Sequence, residues 1–188
     1  MGLRKRLRPR LWPIYALAAL GLALARPSLQ SLLVGLVPVA AGETLRLWAT
    51  GHLHKNDALT VSGAYAYVRH PLYLGTLLIG CGFLYMANTW GALLLFGLFG
   101  GFYFGYYLPY KDRIESARLE ELYGDEFRRY AVAVPRLIPR PTAYVPLGGG
   151  AVEERDWSRV RFADNDEIGT ALAVGLGVAA MALRWGLA

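Results

Sequence analysis

Two short segments hold the residues best suited to chemistry. The first reads Gly63-Ala64-Tyr65-Ala66-Tyr67-Val68-Arg69-His70-Pro71-Leu72-Tyr73-Leu74-Gly75. His70 precedes a proline, which disfavours helical geometry for it, so a helix is expected to start at Pro71, where a missing N–H costs nothing. The free amides and partial positive charge of that helix start lie next to Arg69, a combination suited to a carboxylate. The competing reading is an arginine that anchors the helix end to lipid phosphates. The second segment is Lys111-Asp112-Arg113-Ile114-Glu115, followed by Leu119, Gly124, Phe127, Tyr130 and Val134-Pro135-Arg136-Leu137-Ile138-Pro139. On a helix Lys111, Glu115 and Arg118 share a face. Taken alone, that face is an ordinary solvated charge row.

Other chemistries find less support. His52, His54 and His70 have no cysteine or carboxylate companions at a zinc spacing, so no metal site is expected. No Ser-His-Asp set is apparent. Cys81 is the single cysteine and lies in an apolar run, which rules out an intramolecular disulfide and reads as packing filler.

The elements that must position these segments are apolar. Hydrophobic residues make up 55% of the 188, too many for an ordinary soluble domain, and they fall in blocks. The net charge of +6 lies mainly at the edges of those blocks, which fits membrane orientation rather than nucleic-acid binding. The expected fold is an all-α integral membrane protein of about five spans. These are 11–25, 29–48, 71–86, 90–110 and 167–185, with Ser28 as N-cap of the second. Between the last two, residues 111–130 form an amphipathic helix outside the bilayer, and residues 134–146 are Pro-rich and extended. Gly148-Gly149-Gly150 reads as a hinge, and Asp164, Asn165 and Asp166 offer N-caps for the last span. Residues 1–150 thus form a core, and residues 151–188 a linker and C-terminal transmembrane helix. The first apolar run, preceded by Arg4, Lys5, Arg6, Arg8 and Arg10, reads either as a short span or as a signal peptide with Ala23-Leu24-Ala25 at its cleavage site.

Within the fourth span Gly97, Gly101 and Gly105 form a small-residue row on which another helix is expected to pack. Phe102, Tyr103, Phe104, Tyr106, Tyr107 and Tyr110 crowd its lower end, either as an interfacial belt or as a wall for an apolar ligand. The positive-inside rule puts the N-terminus, the 51–70 loop and the 111–161 segment in the cytoplasm and the C-terminus outside. The lean architecture suits a bacterial inner membrane.

Read in order, the words Glu43-x-x-Arg46, Gly51-His52-Leu53, Lys55-Asn56, Arg69-His70-Pro71-x-Tyr73-x-Gly75, Glu115, Tyr123-Gly124-x-x-Phe127-x-x-Tyr130 and Val134-Pro135-Arg136 carry a resemblance. The chain resembles the isoprenylcysteine carboxyl methyltransferase family, itself similar to phospholipid N-methyltransferases, over about residues 43–139. The family usually has two adjacent acidic residues where this chain has Glu115-Ser116, and an arginine just before them, for which either Lys111 or Arg113 could stand. The resemblance implies binding of S-adenosylmethionine by His52, Tyr67, His70, Tyr73, Glu115 and Arg136. It implies catalytic roles for Arg69, Arg113 and Glu115, with the arginines handling carboxylates of donor or acceptor. It also implies a lipid-like or prenylated acceptor at the membrane. A carboxylate acceptor, ionised at neutral pH, needs no base, whereas an amine must lose a proton, with Glu115 as the candidate base. Carboxylate, amine and thiol acceptors therefore stay open. Membrane sterol reductases carry a similar Arg-His-Pro box, so a nicotinamide-dependent reductase and a non-enzymatic scaffold are the competing readings.

Overall fold

The computed structural model describes residues 12–54, 58–146, 156–165 and 167–187. The basic N-terminal residues, Lys55-Asn56, the Gly148-Gly149-Gly150 hinge and Asp166 lie outside the described residues. Among those described, the chain is helical throughout, with no strand. Its helices are α1 (Trp12–Leu24), α2 (Leu29–His52), α3 (Pro71–Ala87), α4 (Ala92–Phe102), α5 (Leu108–Ala133), α6 (Arg159–Asp164) and α7 (Ile168–Gly186). A 3-10 turn occupies Gly63–Ala66, and a π turn, Tyr103–Tyr107, joins α4 to α5 in one rod. Three described helices are long and apolar enough to cross a membrane: α2, the Ala92–Ala133 rod and α7. Of the five crossings expected, length and composition thus support three. α3 is apolar but has 17 residues, a rise of about 25 Å, and α1 has 13.

Local signals explain most of the helix ends. Ser28 caps α2 as expected, accepting from the Ser31 amide, while Ser31 returns the bond to the Ser28 amide. Pro71 opens α3 and Asn88, in the left-handed region, closes it. α2 continues to His52 rather than stopping near Trp48. Its last carbonyls are taken up by the C-terminal segment: Trp157 Nε1 donates to Leu47, the Ser158 amide to Gly51, and Asn165 Nδ2 to Thr50 and Leu53. Gly124, at φ 48°, breaks α5 between its long first part and residues 125–133.

α2 and α3 pack backbone against backbone. A Cβ on Gly35 would meet the Gly82 carbonyl oxygen at 2.7 Å, and one on Gly82 would meet that of Gly35 at 2.7 Å. Seven residues along each helix the arrangement recurs between Gly42 and Gly75, at 2.6 and 2.7 Å. The expected packing row on α4 proves not to be one: a Cβ on Gly97, Gly101 or Gly105 would meet nothing within 4 Å. α4 approaches α3 through Phe99, over Gly80, in a cluster with Leu84, Leu95 and Tyr103 on which Cys81 packs. At the other end of the bundle Ala25, Val39, Met86, Ala87 and Met181 close α1, α2, α3 and α7 together.

These contacts predict opposite responses to one added methyl. Gly82→Ala should destabilise the detergent-solubilised protein by roughly 1–3 kcal/mol, the usual cost of overpacking. Gly101→Ala should change stability by less than about 0.5 kcal/mol. Equal unfolding midpoints for both variants and the wild type would remove the tight α2–α3 contact.

Candidate active site

His70 is placed by its backbone before its side chain acts. The proline after it holds it outside helical geometry, at φ −121° and ψ 64°. The Arg69 amide donates to the Pro135 carbonyl (2.8 Å) and the His70 amide to that of Arg136 (3.1 Å). The Arg140 and Tyr144 amides donate to Tyr67 and Ala66. The Pro-rich segment therefore runs along residues 66–70, as its extended composition suggested, and brings Arg136 beside the start of α3.

Facing that corner is α5. The His70 imidazole lies between two of its carboxylates. Nε2 stands 2.7 Å from Asp112 Oδ1, and since a carboxylate only accepts, Nε2 donates. Nδ1 faces Glu115 Oε2 at 3.9 Å. The Tyr73 hydroxyl donates to the same Glu115 oxygen at 2.6 Å, and the Tyr73 ring stacks on His70 with centroids 5.2 Å apart. Asp112 also accepts from the Ser116 hydroxyl (3.0 Å) and pairs with Arg136 Nε (3.2 Å). His70 and Asp112 are buried, whereas Glu115 and Arg136 reach the surface.

Two guanidinium groups border these carboxylates. Arg69 is half-buried, and its Nε is enclosed without a hydrogen-bond partner. Burial lowers its pKa, opposed by Asp112, while the like charge of Arg136 lowers it further. A guanidinium stays charged at neutral pH through such a shift. Beneath the site the Tyr130 hydroxyl donates to the Tyr65 carbonyl, and burial pushes the Tyr65 phenol well above its ordinary value.

Of the residues expected from sequence, Arg69, His70, Tyr73, Glu115 and Arg136 come together here. The other three stand apart. His52 is buried, with Nδ1 2.9 Å from the Trp48 carbonyl and its ring against Gly63. Trp48 lies edge-on to His52 and 6.2 Å from the Tyr67 ring. Among the described residues no hydrogen bond or ring contact joins His52 or Tyr67 to His70, Tyr73 or Glu115. Arg113 is exposed, and none of the described hydrogen bonds or ion pairs links it to the cluster. The residue missed from sequence is Asp112. The available signal was its place three residues before Glu115, hence on a neighbouring part of the same face.

The aromatic row divides. Tyr103 is fully buried and its hydroxyl donates to the Tyr73 carbonyl (2.6 Å), while Tyr107 meets the Tyr73 ring edge-on. Phe104 and Tyr106 are exposed, with Tyr106 stacked on Tyr110. A cavity of about 250 Å³ lies at the far end of the bundle, lined by Ser28, Gln30, Ser31, Asn88 and Thr89 among others. It has no carboxylate, imidazole or cationic group, so the reactive residues lie elsewhere. Among the described residues no group of three or more histidines, cysteines or carboxylates could hold a metal ion.

No protein-family model matches the chain, and no solved structure matches it significantly. Among curated proteins, it is 29% identical over 129 residues to the protein-S-isoprenylcysteine O-methyltransferase of Schizosaccharomyces pombe, across 69% of this chain and 51% of that protein. The chain therefore spans about half the length of the curated relative it matches. The match supports the family likeness read from the motifs.

Proposed function

We propose that the chain transfers a methyl group from S-adenosylmethionine to the carboxylate of a lipid-like or prenylated acceptor at a membrane. One observation carries the reading. A buried His-Asp pair and a Tyr-Glu pair, made by α3, α5 and the Pro-rich segment, stand beside Arg69, whose enclosed Nε has no partner. A buried donor left unpaired costs free energy, so it fits a ligand that supplies an acceptor. A carboxylate matches both the charge and the geometry of Arg69 and Arg136, and each reactant of this reaction has one. The curated relative, named for methyl transfer to an isoprenylcysteine, supports the same reaction class.

S-adenosylmethionine would supply a methyl group on a sulfonium centre that is already reactive. The residues then have to align and exclude water rather than provide acid–base chemistry. Tyr73 and Glu115 form the acceptor-bearing wall of the site, suited to the hydroxyl and ammonium groups of the donor molecule. Asp112 fixes the His70 ring and keeps Nε2 protonated. Arg69 and Arg136 hold carboxylates. A carboxylic acid of pKa about 4 is ionised at neutral pH, so the acceptor loses no proton in the transfer. His52 and Tyr67 act in this reading only through Trp48 and the 66–70 backbone, and exposed Arg113 is left as a contact for the acceptor's approach.

We read the topology as five crossings of a bacterial inner membrane, with residues 1–150 as the core and residues 151–188 as linker and last helix. The site faces the cytoplasm, where the positive-inside rule puts the basic loops. The apolar spans next to the site suit lateral entry of an acceptor's tail.

Calorimetric titration of the detergent-purified protein with S-adenosylhomocysteine should give micromolar binding that Glu115→Ala abolishes. A folded wild type that shows no binding would end the methyltransferase reading. With labelled donor and an S-isoprenylated cysteine as probe, the product should release labelled methanol in alkali, as a methyl ester does. An alkali-stable methyl product would replace the carboxylate with the amine as acceptor. Asp112→Asn should lower kcat/KM by about 10–100-fold, the effect typical of losing a partner that orients a functional histidine. Unchanged kinetics in that variant would leave the His-Asp pair without a role in transfer.

A further inference from the structure

Arg46 makes contacts that the proposed chemistry does not use. It sits on α2 inside the bundle, and both Nε and Nη2 reach Glu167 Oε1 at 2.7 Å. Its third nitrogen, Nη1, donates to the Leu72 carbonyl (3.0 Å) and to Thr76 Oγ1 (2.7 Å). Thr76 Oγ1 in turn donates to the Leu72 carbonyl. The stem crosses α3 at Gly75, where a Cβ would meet Arg46 Cγ at 2.5 Å.

The Leu72 carbonyl and the Tyr73 amide belong to one planar peptide unit. Arg46 therefore pins the unit before Tyr73, and Tyr103 pins the one after it through the Tyr73 carbonyl. With both peptide planes fixed, the Tyr73 ring is aimed at Glu115 and His70. Glu167 holds the far side of the guanidinium. Glu167 is buried at the start of α7, and residues 157–165 dock that start onto the last turn of α2. A second carboxylate, Glu43, lies one turn before Arg46 within electrostatic reach of both partners, and neither of its enclosed oxygens has a hydrogen bond. Arg46 thus has two carboxylates near it, and the docking of α7 selects Glu167.

We infer that Arg46 is a positioning residue for the Tyr73–Glu115 pair, and that the C-terminal segment, through Glu167, is part of the site's scaffold and not only a membrane anchor. The activity side of this inference rests on the proposed methyl transfer. The coupling between Glu167 and the first turn of α3 does not. A buried ion pair that merely joined helices would give neither of the two responses below.

The first response needs no ligand. Hydrogen–deuterium exchange on the full-length protein in detergent should show the amides of residues 72–76 exchanging about tenfold faster in Glu167→Gln, while those around the Gly35–Gly82 contact stay protected. The second is a double-mutant cycle read as S-adenosylhomocysteine affinity. Tyr73→Phe should cost about tenfold in the wild-type background and less than about threefold in Arg46→Lys, because the ring is already misaimed. Unchanged exchange in Glu167→Gln overturns the inference. So does an equal cost of Tyr73→Phe in both backgrounds, with both variants folded. If the wild type binds no S-adenosylhomocysteine, the methyltransferase reading fails, and the exchange experiment still decides whether Glu167 and Arg46 hold Tyr73.

Discussion

The close contact of α2 with α3 is the constraint from which the site follows. Two reciprocal glycine pairs, Gly35 with Gly82 and Gly42 with Gly75, bring the two backbones together at two points seven residues apart, with Val39, Met86 and the Arg46 stem packed beside them. At these two close approaches the helices gain dispersion contact, which in a lipid environment outweighs any hydrophobic drive to associate. The same contact sets the register. It puts Arg46 over Gly75, within reach of Leu72, and the end of α2 beside the residues that lead into His70. A glycine pair shifted by one residue would put a side chain in the seam and carry Arg46 off the turn that bears Tyr73.

On this frame the site is an electrostatic compromise. Asp112 is largely desolvated, which on its own disfavours a charge. It is stabilised by His70, Ser116 and Arg136 from three separate elements. Glu115, partly exposed, accepts from Tyr73 and keeps capacity for a further donor. Arg69 has the opposite balance, with a buried nitrogen and no acceptor on it. At this corner Asp112 and Glu115 are thus met by partners within the protein, while the Arg69 nitrogen is left without one. That asymmetry supports the proposed anionic ligand group, and it would be lost if Asp112 turned from His70 to Arg69.

Much of this was legible in the sequence, because the signals were local. A residue before proline, a serine before an apolar run and a Pro-rich stretch each restrict the backbone by their own sterics or hydrogen bonds, and His70, Ser28 and residues 134–146 behave accordingly. The ordered motif words singled out Arg69, His70, Tyr73, Glu115 and Arg136, which the structure brings to one corner. What was not legible depended on a partner's position. The α4 row of Gly97, Gly101 and Gly105 matches a packing motif but has nothing opposite it, while the effective glycines lie seven apart on two different helices. Among the described ion pairs neither Lys111 nor Arg113 meets Glu115. Arg136, more than twenty residues on, pairs instead with Asp112 because the Pro-rich segment returns to the corner.

Asp112 shows how one irregular turn can hide a residue of the candidate site. In an unbroken α-helix, with about 100° per residue, Asp112 would lie about 180° around from Tyr103, the residue that faces α3, and Glu115 about 120°. Ile114, about 20° from Tyr103, would face α3 instead. The structure has the reverse: Asp112 is buried and Ile114 is 52% exposed. The π turn at Tyr103–Tyr107 accounts for it. A wider turn absorbs about one residue, so positions after it lag by about 100°, and Asp112 and Glu115 swing to about 80° and 20°. That rotation brings both carboxylates to His70 and Tyr73 while Tyr103 and Tyr107 stay on Tyr73. Helical periodicity read along the sequence assumes a constant angle per residue, and here the angle changes just before the acids that the site requires.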